Sequence, residues 1–328
     1  MTSLDATTDA ARRPFTGRRV RLGDLLLQGI AGIAALGALV LVGLIAWKII
    51  QGARLSISTF GLSFIWTVAW DPVHGDFGAG SFLFGTIVTS FCALLIATPI
   101  AIGIALFLSE LAPRGIRGPV TALVETLAAI PSVVIGLWGL LVLAPLLRDH
   151  VDPALHSAVG FIPLFGQASY GSNVFTAIVV LTIMILPIIA SISRELFLSV
   201  PTELKEGALS LGTTRWEMIR GVVFPYARGG VAAAMILGLG RAIGEAIAVA
   251  LVIGSFTGIS RNLFAPGNTL AAWIAQQYAG LQTALATSSL MYMALILLVF
   301  SIIVNLVAQF IVRRAARRQG LSRRAPPI

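Results

Sequence analysis

Arg241 and Glu245 stand four residues apart inside an apolar run, Gly229 to Phe256, that is long enough to cross a bilayer. On an unbroken helix that spacing puts both side chains on one face, within reach of each other. At a rise of about 1.5 Å per residue, Arg241 would sit about 20 Å along the helix from Arg228, near the middle of a hydrocarbon core about 30 Å thick. Ionisable groups are expensive there, and those that persist face a bundle interior or a wet path, usually with a partner. A guanidinium is a planar fork of donors suited to an oxyanion, with Glu245 holding it when no anion is present, so the pair would act as a gate. The other use is an ion pair that clamps helices or subunits together, although burying such a pair for stability alone is often no better than apolar packing.

A second set of residues lies in a polar stretch between two apolar runs: Glu206, Gly207, Ala208, Gly212 and Pro225. Pro201 suits a first helical position, Glu203 favours the positive end of the helix dipole, and Gly212 can end the helix in the left-handed conformation. Thr214-Arg-Trp-Glu217 fits a capping box that starts a second helix, which Pro225 is expected to close before the next span. Leu204, Ala208 and Leu211, then Met218, Ile219 and Val222, recur at spacings of three and four and give each piece an apolar face able to lie in a groove. Taken alone, such a segment is an amphipathic connector resting on a membrane surface.

The elements that position these residues are membrane spans. Hydrophobic residues make up 57% of the 328, charged residues only 11%, and the mean hydropathy is +0.93. Apolar runs at about 25–50, 82–108, 121–147, 174–192, 229–256 and 284–312 each approach or exceed the about 20 residues a crossing helix needs. Runs of this length exclude barrel strands, and lipid satisfies no backbone hydrogen bonds, so the expected fold is an all-α polytopic bundle of six helices. The basic residues assign the faces, because Arg and Lys are retained on the cytoplasmic side. With both termini cytoplasmic, only Lys48, Arg54, Arg148 and Arg261 fall on the opposite face, and Arg241 lies within a span. Residues 1–24 then form a cytoplasmic tail ahead of an uncleaved anchor, 199–228 an inner loop, and 313–328 a basic tail beside anionic lipid. This topology accounts for the net charge of +9 and the pI near 10.9, with no nucleic acid required.

Other marks within the spans are less specific. Gly230, Ala234, Gly238, Ala242, Ala246, Ala250 and Gly254 form a small-residue stripe for close helix approach, with span two, span three or a second subunit as its partner. Glu125 lies near the inner end of span three, where a functional charge and a side chain snorkelling to the interface are both consistent with its position. Pro131 should kink that span. The outer loops carry Trp66, Trp70 and Trp273 as interfacial aromatics and are candidates for docking an extracytoplasmic protein.

Catalytic patterns are missing. His74, His150 and His156 read as outer-loop residues without metal-ligand spacing, and Cys92 has no partner for a disulfide. Gly238-Leu-Gly240 with Gly244 misses the dinucleotide fingerprint by one residue, and Gly207 to Gly212 is followed by Thr213-Thr214 rather than Lys and Ser or Thr. No catalytic or metal residue, and no cofactor bound by this chain, is therefore expected. A secondary transporter or channel is the competing class, but the halves are not evidently inverted repeats.

With Glu206, Ala208, Gly212 and Pro225 at positions 1, 3, 7 and 20, the inner loop resembles the EAA loop of ATP-binding-cassette importer permeases. Gly207, Val222 and Phe224 depart from that family's usual alanine, isoleucine and leucine. The resemblance implies a type I, MetI-like permease fold and docking of the loop into a separate ATPase dimer that consumes the ATP. Phe84-Gly-Thr-Ile-Val-Thr-Ser90, the segment Glu125 to Gly139 that includes Ile130-Pro-Ser132 and Trp138, and Leu239-Gly-Arg-Ala-Ile-Gly-Glu245 further resemble permeases of the phosphate-specific importer. Trp138 and the long first outer loop favour the PstC type, and the PstA type is similar over the same spans. That likeness implies inorganic phosphate as cargo, a PstA-like second permease, a PstB-like ATPase dimer and a PstS-like binding protein as partners, and lipid around the bundle.

Overall fold

The computed structural model describes residues 22–167, 171–280 and 283–317. Arg12, Arg13, Arg18, Arg19, Arg21 and the tail from residue 318 onward, with the expectations placed on them, lie outside the described residues. The chain divides into two units, residues 1–48 and 49–328. The first contributes the leading part of helix α1 (Leu22–Phe60), which is apolar and exposed from Leu26 to Ile45. All later elements belong to the second unit.

After α1, a two-stranded hairpin, β1 (Trp70–Asp71) and β2 (Asp76–Phe77), leads into α2 (Gly80–Leu106), which is extended by a π turn at Phe107–Leu111. Then come α3 (Arg114–Ala129), α4 (Ser132–Val159), α5 (Val174–Leu198), α6 (Thr202–Ser210), α7 (Arg215–Gly244), α8 (Ile247–Val252), α9 (Leu270–Gln277) and α10 (Ala284–Arg317). Among the described residues six helices are long and apolar enough to cross a membrane, as the hydropathy pattern requires.

Helices α2 and α5 form the centre of this unit. Ala93, Ala97, Ala101 and Ala105 recur every fourth residue on α2 and are fully buried. Three of them share the main core with Leu181, Ile185 and Ile189 of α5. Small side chains let the two backbones approach, which replaces the hydrophobic drive that lipid does not supply. The stripe on α7 has a different partner from those expected. A Cβ on Gly230 would lie 2.6 Å from Leu196, and one on Gly238 would lie 2.8 Å from Ile189, so the stripe packs on span four. Its last three members are not part of it, because α7 ends at Gly244.

Two spans break where a continuous helix was expected. Span three does not kink at Pro131 but stops, with Ile130 at φ −65°, ψ 129° and Pro131 at ψ 138°, dividing α3 from α4. A residue before proline is pushed out of the helical region, and here nothing restores the ladder. Conversely, Pro225 does not close a helix. The chain continues from Arg215 to Gly244 through a π turn at Ile219–Val223, and the widened turn accommodates a ring that would otherwise meet the carbonyl one turn back. His150 and His156 also lie on α4 rather than in loops, His156 with Nδ1 2.8 Å from the Phe165 carbonyl.

A second cluster of aromatic residues covers the end of the unit where α2 begins. Trp273 stacks on Phe82 with centroids 4.9 Å apart, and Trp70 sets its edge against both. Trp273 is therefore core rather than an interfacial anchor, whereas Trp66 remains 76% exposed.

Candidate functional site

The loop after span four folds as two helices on either side of a tight turn. Helix α6 starts after Pro201 and carries Glu203 in its first turn. It ends as the Leu211 and Gly212 amides donate to the Ala208 and Leu209 carbonyls, with Gly212 at φ +82°. Only glycine takes that conformation without steric cost. Thr214 and Glu217 then close the capping box from both sides: the Thr214 amide donates to Glu217 Oε2 at 2.7 Å, and the Glu217 amide donates to Thr214 Oγ1 at 3.3 Å.

The apolar residues of this loop divide between two tasks. Met218 and Ile219, with Val223, are buried beneath the loop with Phe197, Val200 and Val231, and Ala208 and Val222 pack against them. Leu204, Leu209, Leu211 and Trp216 point outward beside Glu203 and Glu206, and Leu211 is 86% exposed. A cavity of about 670 Å³ next to Glu206, Lys205 and Leu209 continues the same face toward Pro113 and Arg114. Lys205 ties α6 down. Its Nζ donates to Glu110 Oε1 at 2.6 Å and to the Phe197 carbonyl at 3.1 Å. No local spacing announces that ion pair, because its partners are far apart in sequence.

Arg241 occupies the last turn of α7, but Glu245 does not share its face. Glu245 is extended, at φ −71°, ψ 116°, and its Oε1 accepts the Ala248 amide at 3.3 Å, holding the first turn of α8. The predicted four-residue pair is thus replaced by a broken helix, with the acid serving the break. Among the described residues no carboxylate lies within 4.0 Å of Arg241. Instead Arg241 lines an open cavity of about 880 Å³ between α5, α7 and α10, with Gly240, Asn305, Gln309 and Arg313. Two cations, two amides and, among the described residues, no acid make a surface complementary to an anion. Irregular backbone at membrane depth is tolerated where protein or a wet cavity covers it, and the break at Glu245 lies about one turn past Arg241, which lines that cavity.

Glu125 is exposed on α3, one turn before the break, and lines a crevice of about 10 Å³ with Thr121, Ser191 and Arg194. No group of three His, Cys, Asp or Glu side chains among the described residues could hold a metal ion.

Six membrane-crossing helices, a central pair among them and an exposed helix-turn-helix loop are the frame of a polytopic membrane protein, and its family gives it the role of an importer permease. The chain belongs to the family of binding-protein-dependent transport system inner membrane components, which it matches over residues 97–318. It is 42% identical over 326 residues to the phosphate transport system permease protein PstC of Mesorhizobium japonicum, covering 98% of this chain and 100% of that one. It is also 37% identical to PstC 2 of Mycobacterium tuberculosis, covering 90% and 93%. Among solved structures, a bacterial alginate ABC transporter in complex with an alginate-bound periplasmic protein aligns over 89% of this chain and 97% of that chain, with a TM-score of 0.60 at 15% identity. The methionine transporter MetNI, in an inward-facing form, aligns with a TM-score of 0.52 at 20% identity, over 71% and 94%. At these identities the structures speak for the MetI-like fold alone.

Proposed function

We infer that this chain is the PstC-type permease subunit of an ATP-driven inorganic phosphate importer. The observation that carries the reading is the cavity at Arg241, where Arg241 and Arg313 face a space that no acid lines among the described residues. A dianionic cargo entering a low-dielectric bundle needs cationic donors that are not already neutralised. The kinship with phosphate permeases over the whole chain supplies the same cargo independently.

In this reading both termini and the α6–α7 loop are cytoplasmic. Leu204, Leu209, Leu211 and Trp216, with Glu203 and Glu206, form the face that a separate PstB-like ATPase dimer grips. The chain binds no nucleotide itself and catalyses no reaction. A PstA-like permease completes the path, and the outer loops receive a PstS-like phosphate-binding protein. Arg241 is the cargo-facing residue, while Glu245 shapes the backbone beside it.

The test is a reconstituted complex. Arg241→Gln at normal expression should abolish most phosphate uptake while the ATPase still co-purifies. Glu206→Lys and Gly212→Asp should instead lose the ATPase. Unchanged uptake in the first variant would remove Arg241 from the path, and retained coupling in both others would remove the loop from energy transfer.

A further inference from the structure

Helix α10 carries Asn305 and Gln309 within a stretch, Ile302 to Val312, that is otherwise apolar, followed by Arg313, and all three line the Arg241 cavity. Steps of four residues advance about 40° beyond a full turn, so the three fall within a sector of about 80°. They span about 12 Å along the helix. A Cβ on Gly240 would lie 3.6 Å from the Asn305 amide, which places the upper rung against the residue next to Arg241. Ala233, two turns back along α7, lines the same cavity, and α7 and α10 are consecutive membrane-crossing helices, so they run antiparallel past it. Among the described residues neither amide and neither guanidinium has a hydrogen-bond or ion-pair partner.

An unpartnered amide on each successive turn of a membrane helix is costly in hydrocarbon. The arrangement becomes favourable if a polar species occupies the cavity. Amides donate without carrying charge, so they hold an oxyanion loosely enough to release it, and a cation at each end biases entry and exit. We propose that Asn305, Gln309 and Arg313 form, opposite Arg241, a ladder that passes a phosphate-type oxyanion from the middle of the bundle to the end bearing the α6–α7 loop. The inference rests on the importer reading and adds three residues of α10 to its path.

The experiment uses the complete complex in proteoliposomes, with Gln309→Cys placed in a Cys92→Ala background and treated with an anionic, membrane-impermeant methanethiosulfonate reagent. Labelling is expected, and inorganic phosphate should slow it severalfold during turnover. In parallel, Gln309→Leu and Arg313→Gln should lower phosphate uptake about fivefold or more, with the ATPase and the second permease still bound. An unreactive position 309, unchanged uptake in both variants, or loss of the second permease from Gln309→Leu overturns the ladder and makes the stripe helix-packing glue. Protection that requires only acidic phospholipid vesicles assigns the site to a lipid headgroup and also overturns it. If the wild-type complex imports no phosphate, the phosphate reading fails instead, and protection of position 309 by sulfate would still uphold an oxyanion ladder.

Discussion

Lys205 and Glu110 lie 95 positions apart in sequence, yet Nζ and Oε1 are 2.6 Å apart and both side chains are largely covered, at 14% and 9% exposure. The pair fastens the α6 helix to the turn that ends span two, and the bond from Lys205 to the Phe197 carbonyl fastens it to span four as well. A force applied to α6 is thereby delivered to both central helices. Lys205→Met leaves Glu110 covered and unpaired, and should destabilise the protein by about 3 kcal/mol. Adding Glu110→Leu removes the stranded charge and should restore most of that loss. Thermal unfolding in detergent measures both. If the fastening transmits the stroke, the stable double variant should hydrolyse ATP but import less per ATP, which simultaneous uptake and ATPase assays read.

Gly85, inside the Phe84-Gly-Thr segment, has a structural reason to be glycine. A Cβ there would lie 1.9 Å from the Asn268 carbonyl, where the Leu270 amide also bonds to Thr86 Oγ1 at 2.9 Å. Both neighbours at the contact are backbone, so neither yields cheaply. Gly85→Ala should cost several kcal/mol and separate the loop before α9 from α2. Gly103→Ala on the same helix meets nothing within 4 Å and should be neutral or stabilising by up to about 1 kcal/mol. Equal melting temperatures for the two variants would refute this account.

The parts of this fold legible in the sequence are those governed by local chemistry. Span existence is set by hydropathy, the capping box at Thr214 and Glu217 by side-chain reach, and the turn at Gly212 by backbone freedom. The errors arise where tertiary context decides. Pro225 looks like a stop because a π turn cannot be read from spacing, and Glu245 looks like a partner for Arg241 because nothing local announces the break after Gly244. Trp273 looks interfacial until Phe82 and Trp70 close over it. The α2 alanine stripe is visible at spacing four, but its burial depends on which helix faces it.

Gly212 sits at φ +82° with open space around it, so only backbone strain penalises a side chain there. Gly212→Ala should cost about 1 kcal/mol, and Gly212→Asn less, since asparagine visits the left-handed region more readily. Gly212→Val should cost more than either. Stability and ATPase co-purification should fall in the order asparagine, alanine, valine, and a valine variant as stable as the asparagine one would contradict it.

The hairpin turn between β1 and β2 is held by Asp71, whose Oδ1 accepts the Val73 amide at 2.9 Å while Oδ2 lies 2.6 Å from His74 Nδ1. The hydrogen bond that His74 donates to Asp71 raises the His74 pKa above 6.5, and the same bond lowers that of Asp71 below 3.8. The raised histidine contributes order that is full below 6.5 and lost as pH rises through its folded pKa. The lowered aspartate contributes order that is full above 3.8 and lost as pH falls through its folded pKa. The turn should therefore be best ordered between pH 3.8 and 6.5, with the Val73 and His74 amides most protected there once exchange rates are corrected for pH. A His74→Ala variant should lose the upper limb of that profile.

Glu245 discriminates between a charge in the path and a brace for the break. As a brace it needs an acceptor for the Ala248 amide, and glutamine retains a carbonyl oxygen at the same reach. Glu245→Gln should then keep stability within about 0.5 kcal/mol of wild type, whereas Glu245→Leu, which leaves that amide unpaired, should lose about 1–2 kcal/mol. If Glu245 instead neutralised Arg241 between transport events, glutamine would leave stability alone and change uptake as severely as leucine does. Placing the carboxylate at the break, away from the cation-lined cavity, predicts the first pattern. Uptake by Glu245→Gln should stay near wild type while Arg241→Gln loses it, and comparable losses in both would return the carboxylate to the path.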